Sequence, residues 1–153
     1  MTFVYRVEHK CSGKGPYSHP WNSKSNSEVF IKLCNSRNRH KTIKKDKLVK
    51  GNKLLSELVI ILAYQDDMLT QKHRELLHNI NYDPRFCTSS LEAIKSWFDI
   101  ENIVSLLDEE GFNLVTYEVE EENLVHFETQ SVIIDIDKTI CVKCESVTAL
   151  HSI

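Results

Sequence analysis

The chain has 153 residues, of which 41% are hydrophobic and 27% charged, and its formal net charge is −3. This composition is typical of a globular domain of common size and excludes a disordered chain. The longest apolar run, 58–64, is too short to span a bilayer. The N-terminal sequence MTFVYRVEHK lacks the basic and then apolar layout of a secretory signal. We therefore expect a single domain over residues 1–153 that stays in the cytoplasm and does not engage a membrane.

In the N-terminal half, period-two alternation predicts a first strand, and apolar residues at helical spacing predict one long helix. Gly and Pro after the strand indicate a turn, and a stretch rich in Ser, Asn and Pro indicates a long loop. A short segment after that loop fits a strand or a helix equally well. The predicted elements are a strand at 2–8, a turn at 12–16, a loop at 17–27, a strand or helix at 27–34, an irregular and mobile stretch at 35–52, and a helix at 54–80 that breaks near 66–67 or runs through.

The C-terminal half begins with a capping signal for a second helix. Ser89-Ser90-Leu91-Glu92 has the form of a capping box, so a helix should begin at Ser89 or Ser90. Gly111 is placed to end a third helix, because glycine enters the left-handed region cheaply. The second predicted helix runs to about 98, and the third covers 101–110. The predicted strands are 112–120, 124–136 (one strand or two) and 139–150, with a hairpin connection at 120–123. The fold class is therefore α+β, in which the first strand joins a mixed or antiparallel sheet with packed helices.

Charge is unevenly distributed along the chain. Nine Lys or Arg residues and one acid lie between Lys32 and Lys53, whereas 99–137 holds twelve Asp or Glu and no Lys or Arg. The basic stretch is either a solvated loop or a surface that docks on nucleic-acid phosphates or an acidic protein. Because it lacks interleaved aromatics for base stacking, sequence-specific RNA recognition is not expected. The acidic stretch between Glu118 and Glu122 would repel nucleic acid, or would imitate phosphate charge for a basic protein.

The five cysteines are odd in number and irregularly spaced, which indicates free thiols and not a disulfide framework. Cys141 and Cys144 form a CxxC pair that supplies two zinc ligands, whereas a structural site needs four and no second CxxC exists. On a regular strand these two sulfurs would also point to opposite faces. No metal is therefore expected.

Three short motifs are candidates for chemistry. Arg6, in the middle of the first strand, either points to solvent or holds a phosphate or ribose through its planar donors. Thr88 and Ser89 lie at the start of the second helix, where N-capping alone would account for their hydroxyl groups. Glu128 and Gln130 lie two apart on a predicted strand and so share one face, which is either solvated or part of a site.

The order of these motifs resembles the Arg–Ser–Glu class of ADP-ribosyltransferases. That resemblance implies an ADP-ribosyltransferase-like scaffold with NAD as cofactor, in which Arg6 anchors the dinucleotide and Thr88 and Ser89 shape the nicotinamide pocket. Glu128 and Gln130 would then occupy the positions of the catalytic pair. Gln130 lacks the charge that stabilises an oxocarbenium-like transition state. Either Glu128 takes that role in a shifted register, or the scaffold binds a nucleotide-like ligand without chemistry.

Two segments, 5–17 and 91–98, also resemble an uncharacterised bacteriophage protein family. This resemblance implies host takeover or inhibition of a host defence, and localisation in the host cytoplasm. Tyr5 and Trp21, with Tyr17, are expected to line a cleft between the first strand, the Thr88 turn and the third motif.

Three functional hypotheses remain open. The first is a phage-type accessory protein that acts on or inhibits a host macromolecule through one of its charged surfaces. The second is an active NAD-dependent ADP-ribosyltransferase that uses Arg6, Ser89 and Glu128. The third is a nucleic-acid-binding module that uses the basic stretch. Convergence of the three motifs on one pocket would favour the transferase, and a dispersed triad would favour a binding protein.

Overall fold

A computed structural model of the chain describes residues 1–17, 27–36, 46–63 and 69–153. Helices and antiparallel strands both occur within these ranges, which confirms the α+β class. In chain order they are β1 (Thr2–His9), α1 (Ser27–Ser36), β2 (Leu48–Lys50), α2 (Lys53–Ala63), α3 (Gln71–Asn79), β3 (Arg85–Cys87), α4 (Leu91–Trp97), α5 (Ile103–Glu110), β4 (Phe112–Val119), β5 (Leu124–Phe127), β6 (Ser131–Ile133) and β7 (Ile140–Ser146). No helix in these ranges is long and apolar enough to cross a membrane.

The strands form two antiparallel sheets. Sheet A has the order β1-β4-β7, and sheet B has the order β2-β5-β6-β3. Pairing of β1 with β4 along its whole length confirms that the first strand joins C-terminal strands. The sheets meet where Tyr5 of β1 and Thr88, just after β3, exchange backbone hydrogen bonds of 2.9 Å in both directions.

Both faces of β1 are covered. On one face, Val7 packs with residues of α1, α4 and α5 in the largest apolar cluster. On the other face, Val4 packs with Cys87 and with residues of β4, β5 and β6. A third cluster lies between α2 and sheet B. Consecutive residues of a strand point to opposite faces. Because both faces of β1 are covered, a polar side chain between Val4 and Val7 is buried whichever face it points to.

The predicted helix at 54–80 is two helices. α2 ends at Ala63, and α3 begins after Thr70, whose hydroxyl accepts a hydrogen bond from the backbone N–H of His73. The His73 ring in turn accepts from the Thr70 N–H at 3.1 Å, which completes a capping box with histidine in the usual place of glutamate. The break proposed near 66–67 lies outside the described residues.

The predicted hairpin at 120–123 is wrong, because β4 and β5 belong to different sheets. Glu121–Asn123 forms a 3₁₀ turn that carries the chain from sheet A to sheet B. The Asn123 side chain accepts from the N–H of Asp135 and donates to its carbonyl, both at 2.9 Å, and so fixes this crossing. The irregular stretch expected at 35–52 contains a strand, β2, and its segment 37–45 lies outside the described residues.

One open alternative is decided, and two local predictions are confirmed. The segment that begins at Ser27 is a helix, α1. Ser90 caps α4 by accepting from the N–H of Ala93, although Glu92 does not complete a box. Gly111 ends α5 with a φ of 91°, in the left-handed region.

Candidate functional site

Arg6 is buried, so the alternative in which it points to solvent is wrong. Only 5% of the residue is exposed. Its Nε donates to Glu8 at 2.8 Å, its Nη1 to the carbonyl of Phe86 at 2.8 Å, and its Nη2 to the carbonyl of Gly13 at 2.7 Å. Every nitrogen of the guanidinium thus has an acceptor within the protein. Arg6 joins β1 to β3 and to the turn that follows β1.

Glu8 and Tyr117 complete this network, and the sequence reasoning missed both. Glu8 pairs with Arg6 through one oxygen and accepts the Tyr117 hydroxyl through the other at 2.8 Å. Burial, together with this hydrogen bond, raises the pKa of Tyr117. Glu8 lies two residues from Arg6 on one strand, so period-two spacing was a signal that could have paired them.

Thr88 and Ser89 differ in environment. Thr88 is buried, and its hydroxyl donates to the Ser90 carbonyl at 2.9 Å, whereas Ser89 is exposed. Tyr5 bridges to Thr88 through its backbone, but its side chain packs with the helices on the face of β1 opposite Arg6. Trp21 lies outside the described residues.

Glu128 and Gln130 lie in the connection between β5 and β6, so the prediction that both stand on one strand face is wrong. Glu128 is exposed and accepts the Lys47 N–H at 3.2 Å. The connection is held by Asp46, whose Oδ2 accepts the Thr129 N–H at 3.1 Å and the Thr129 hydroxyl at 2.6 Å. A contact 83 residues away in sequence therefore imposes the turn.

The backbone nevertheless brings the three motifs into one neighbourhood. Tyr5 pairs with Thr88, and Cys87 pairs with Ser131, which follows Gln130. The segments thus lie side by side across β1, β3 and β6. A groove of about 320 Å³ lies elsewhere, between the α4–α5 region and the C-terminal turn. The catalytic and NAD-binding roles of these residues stay predictions.

A second candidate is the surface formed by Lys47, Leu48, Val49, Lys50 and Lys53, which we call the β2 surface. β2 is an edge strand of sheet B, and all three of its residues are exposed. Val49 is 66% exposed and Leu48 37%, high values for apolar side chains. The chain therefore presents an apolar strand edge flanked by lysines.

Acidic groups border the β2 surface. Glu121 lies 3.7 Å from the Lys50 ammonium and 3.2 Å from the His126 ring. A hydrogen bond from Thr2, with contributions from His126 and Lys50, lowers the pKa of Glu121. The basic stretch and the acidic stretch of the sequence thus meet at this place.

The described cysteines fall into two classes. Burial raises the pKa of Cys87 from 9.0 to about 12, which keeps this thiol neutral and unreactive at neutral pH. Cys141 and Cys144 are exposed on β7 and pair with Tyr117 and Val115, which lie two apart on β4. An irregularity at Val142 therefore turns both thiols to one face, contrary to the expectation for a regular strand. Within the described ranges, no group of three or more His, Cys, Asp or Glu is placed to hold a metal ion.

Comparison with known protein families gives a match over most of the chain. A family model described as Bacteriophage T4 Y00F protein matches residues 1–148. No curated protein and no solved structure matches the chain. The resemblance to a bacteriophage family is confirmed, whereas the resemblance to ADP-ribosyltransferases stays a prediction.

Proposed function

Because the chain belongs to the Bacteriophage T4 Y00F protein family, we propose that it is a phage accessory protein that binds and inhibits a host protein through the β2 surface. The observation that carries this proposal is the exposed apolar edge strand at Leu48 and Val49. Host takeover or blockade of a host defence is the setting in which such binding acts.

An exposed edge strand offers unpaired N–H and C=O groups to another chain. Proteins commonly cover, shorten or charge such edges, and in the described part of the chain nothing pairs with the outer side of β2. An extended segment of a partner can add to the edge through main-chain hydrogen bonds, while Val49 contributes apolar contact. Lys47, Lys50 and Lys53 favour a partner segment that carries acidic side chains.

The acidic border of the β2 surface favours a protein partner over nucleic acid. A phosphate backbone that follows the lysines would meet the carboxylates of Glu121 and Glu128, and like charges at contact distance repel. A protein segment of mixed charge can pair with both signs. Nucleic acid is therefore an outcome of the test and not the proposal.

A photo-crosslinking residue at position 49 tests the proposal in host lysate. The matched control is position 31, because Ile31 is an apolar residue with 56% exposure on α1. We expect one host protein to crosslink from position 49 and not from position 31. We also expect Val49→Asp to abolish its capture and Ile31→Asp to leave it intact. Equal products from both positions would refute the β2 surface, and capture that nuclease removes would indicate nucleic acid.

We propose the active NAD-dependent ADP-ribosyltransferase as the second candidate. Its support is the adjacency of Tyr5, Thr88 and the Gln130 connection across β1, β3 and β6. Calorimetry with NAD should then give saturable heat that Arg6→Lys removes without changing the circular dichroism spectrum. Transfer of ADP-ribose should be lost in Glu128→Gln. Absence of heat at millimolar NAD would eliminate this candidate.

A further inference from the structure

β7 is a second open strand edge in the described part of the chain. It pairs with β4 on one side, and no other strand in the described ranges pairs with it. Six of its seven residues are exposed, among them Ile140 at 56% and Val142 at 45%. An uncovered strand of this kind is a template for another strand.

Symmetry limits how two copies of β7 can pair. Facing residues of an antiparallel pair must point to the same face of the sheet. In the regular stretch 143–146 of β7, one residue must therefore lie opposite its own copy, on the two-fold axis. We describe such an axis as passing through that residue. The local irregularity at Val142 ends this regular stretch on one side, and the 3₁₀ turn that begins at Val147 ends it on the other.

Charge and the length of the strand then select one register. An axis through Ser146 would place Glu145 opposite Val147, which already belongs to the 3₁₀ turn. An axis through Lys143 would place lysine against lysine, and an axis through Glu145 would place glutamate against glutamate, both of which are unfavourable. An axis through Cys144 places Lys143 of each copy opposite Glu145 of the other. These two side chains already share one face, because their charged groups lie 3.2 Å apart within the strand.

We propose that two copies of this chain associate through β7, antiparallel and with Cys144 at the two-fold axis. The pairing joins the two copies of sheet A into one six-stranded sheet. Two reciprocal Lys143–Glu145 ion pairs lie on one face, and the two Cys144 thiols meet on the other. The pairing uses a short strand, so the dimer forms at high concentration and dissociates on dilution.

Analytical ultracentrifugation over a concentration series tests the association. The weight-average mass should rise from 17.8 kDa toward twice that value. Lys143→Glu and Glu145→Lys should each weaken dimerisation by about tenfold or more, because each puts like charges in contact twice. The double variant Lys143→Glu/Glu145→Lys should recover it, because the pairs are restored with reversed sign. Lys72→Glu, on the exposed side of α3, is the matched control and should have no effect.

Oxidation with diamide tests the register. Joining two Cys144 thiols releases two protons and two electrons, which the azo group of diamide accepts to become a hydrazine. A chain that carries Cys11→Ser, Cys34→Ser and Cys141→Ser keeps only Cys144 and the buried Cys87. It should give a covalent dimer, and a further Cys144→Ser change should abolish that dimer. A constant single-chain mass up to millimolar concentration would overturn the proposal. So would failure of the double charge variant to recover dimerisation, or a covalent dimer that still forms without Cys144.

Discussion

At the scale of single residues, Arg6 resembles a ligand-binding side chain, but its guanidinium donates hydrogen bonds to groups within the protein. It lies on the face of β1 that turns toward sheet B, where a charge is stable only with acceptors close by. Glu8 and two backbone carbonyls supply them. Any ligand that binds Arg6 must displace at least one of these contacts, which is a cost that a preformed anion site does not carry.

Arg6→Met should lower the free energy of unfolding by about 3 kcal/mol, because it leaves the partly buried Glu8 carboxylate without its cation. Urea denaturation monitored by circular dichroism measures the loss. The control is the double variant Arg6→Met/Glu8→Gln, which should lose less than Arg6→Met alone since no unpaired charge remains. A double variant that loses as much as the sum of its single variants would contradict the coupling of Arg6 and Glu8.

At the scale of elements, the residue that follows β2 makes a close backbone approach to β5. A side chain at Gly51 would place its Cβ 3.1 Å from the Leu124 carbonyl oxygen and 3.2 Å from the Val125 Cα, and the φ of Gly51 is +129°. Both features require glycine. The edge strand thus depends on a residue just outside it.

Gly51→Ala should destabilise the protein by about 3 kcal/mol and release β2, because backbone strain and a backbone clash act together. Hydrogen exchange should then speed up in β2 more than in sheet A. Gly13→Ala is the matched control: its φ is +70°, but a Cβ there meets nothing within 4 Å, so it should cost only about 1 kcal/mol. Similar losses for the two variants would show that the close approach to β5 is unimportant.

Elements with local signals were predictable from the sequence, and elements defined by distant contacts were not. Ser90 and Gly111 mark helix ends through their own backbone chemistry, and both were identified correctly. The turn at Glu128 contains no glycine, proline or asparagine and depends on Asp46, so its sequence resembles a continuous strand. For the candidate site, the sequence could select Arg6 as unusual, but the carbonyls that occupy it come from 7 and 80 residues away.

At the scale of the whole molecule, burial affects several acidic protons in the same direction. It raises the pKa of Cys87 from 9.0 to about 12 and that of Tyr82 from 10.0 to about 12, and it also raises the pKa of Tyr117. When a group has a higher pKa in the folded state than in the unfolded state, its full contribution to stability is present at pH values below the unfolded-state pKa. That contribution is lost as the pH rises toward the folded-state pKa. All three groups therefore weaken the fold on the alkaline side.

These groups should leave the midpoint of urea-induced unfolding nearly constant from neutral pH to about pH 9. They should then lower it as the pH rises toward about 12. Cys87→Ala should reduce the loss of stability between about pH 9 and pH 10, above which Tyr82 also contributes. Equilibrium unfolding at a series of alkaline pH values measures both curves. A midpoint that declines identically in Cys87→Ala and wild type would remove the thiol from this explanation.

The pairing of β1 with β4 also has a consequence for how the chain folds. Thr2 pairs with Val119, and His9 pairs with Phe112, so β1 finds its partners more than a hundred residues later in the chain. Native contacts of such long range lengthen the search for the folding transition state, and folding should be slower than for a helical bundle of equal size. During synthesis, β1 leaves the ribosome long before β4 exists. Until β4 is made, its apolar residues depend on chaperones or on transient local contacts for protection from aggregation.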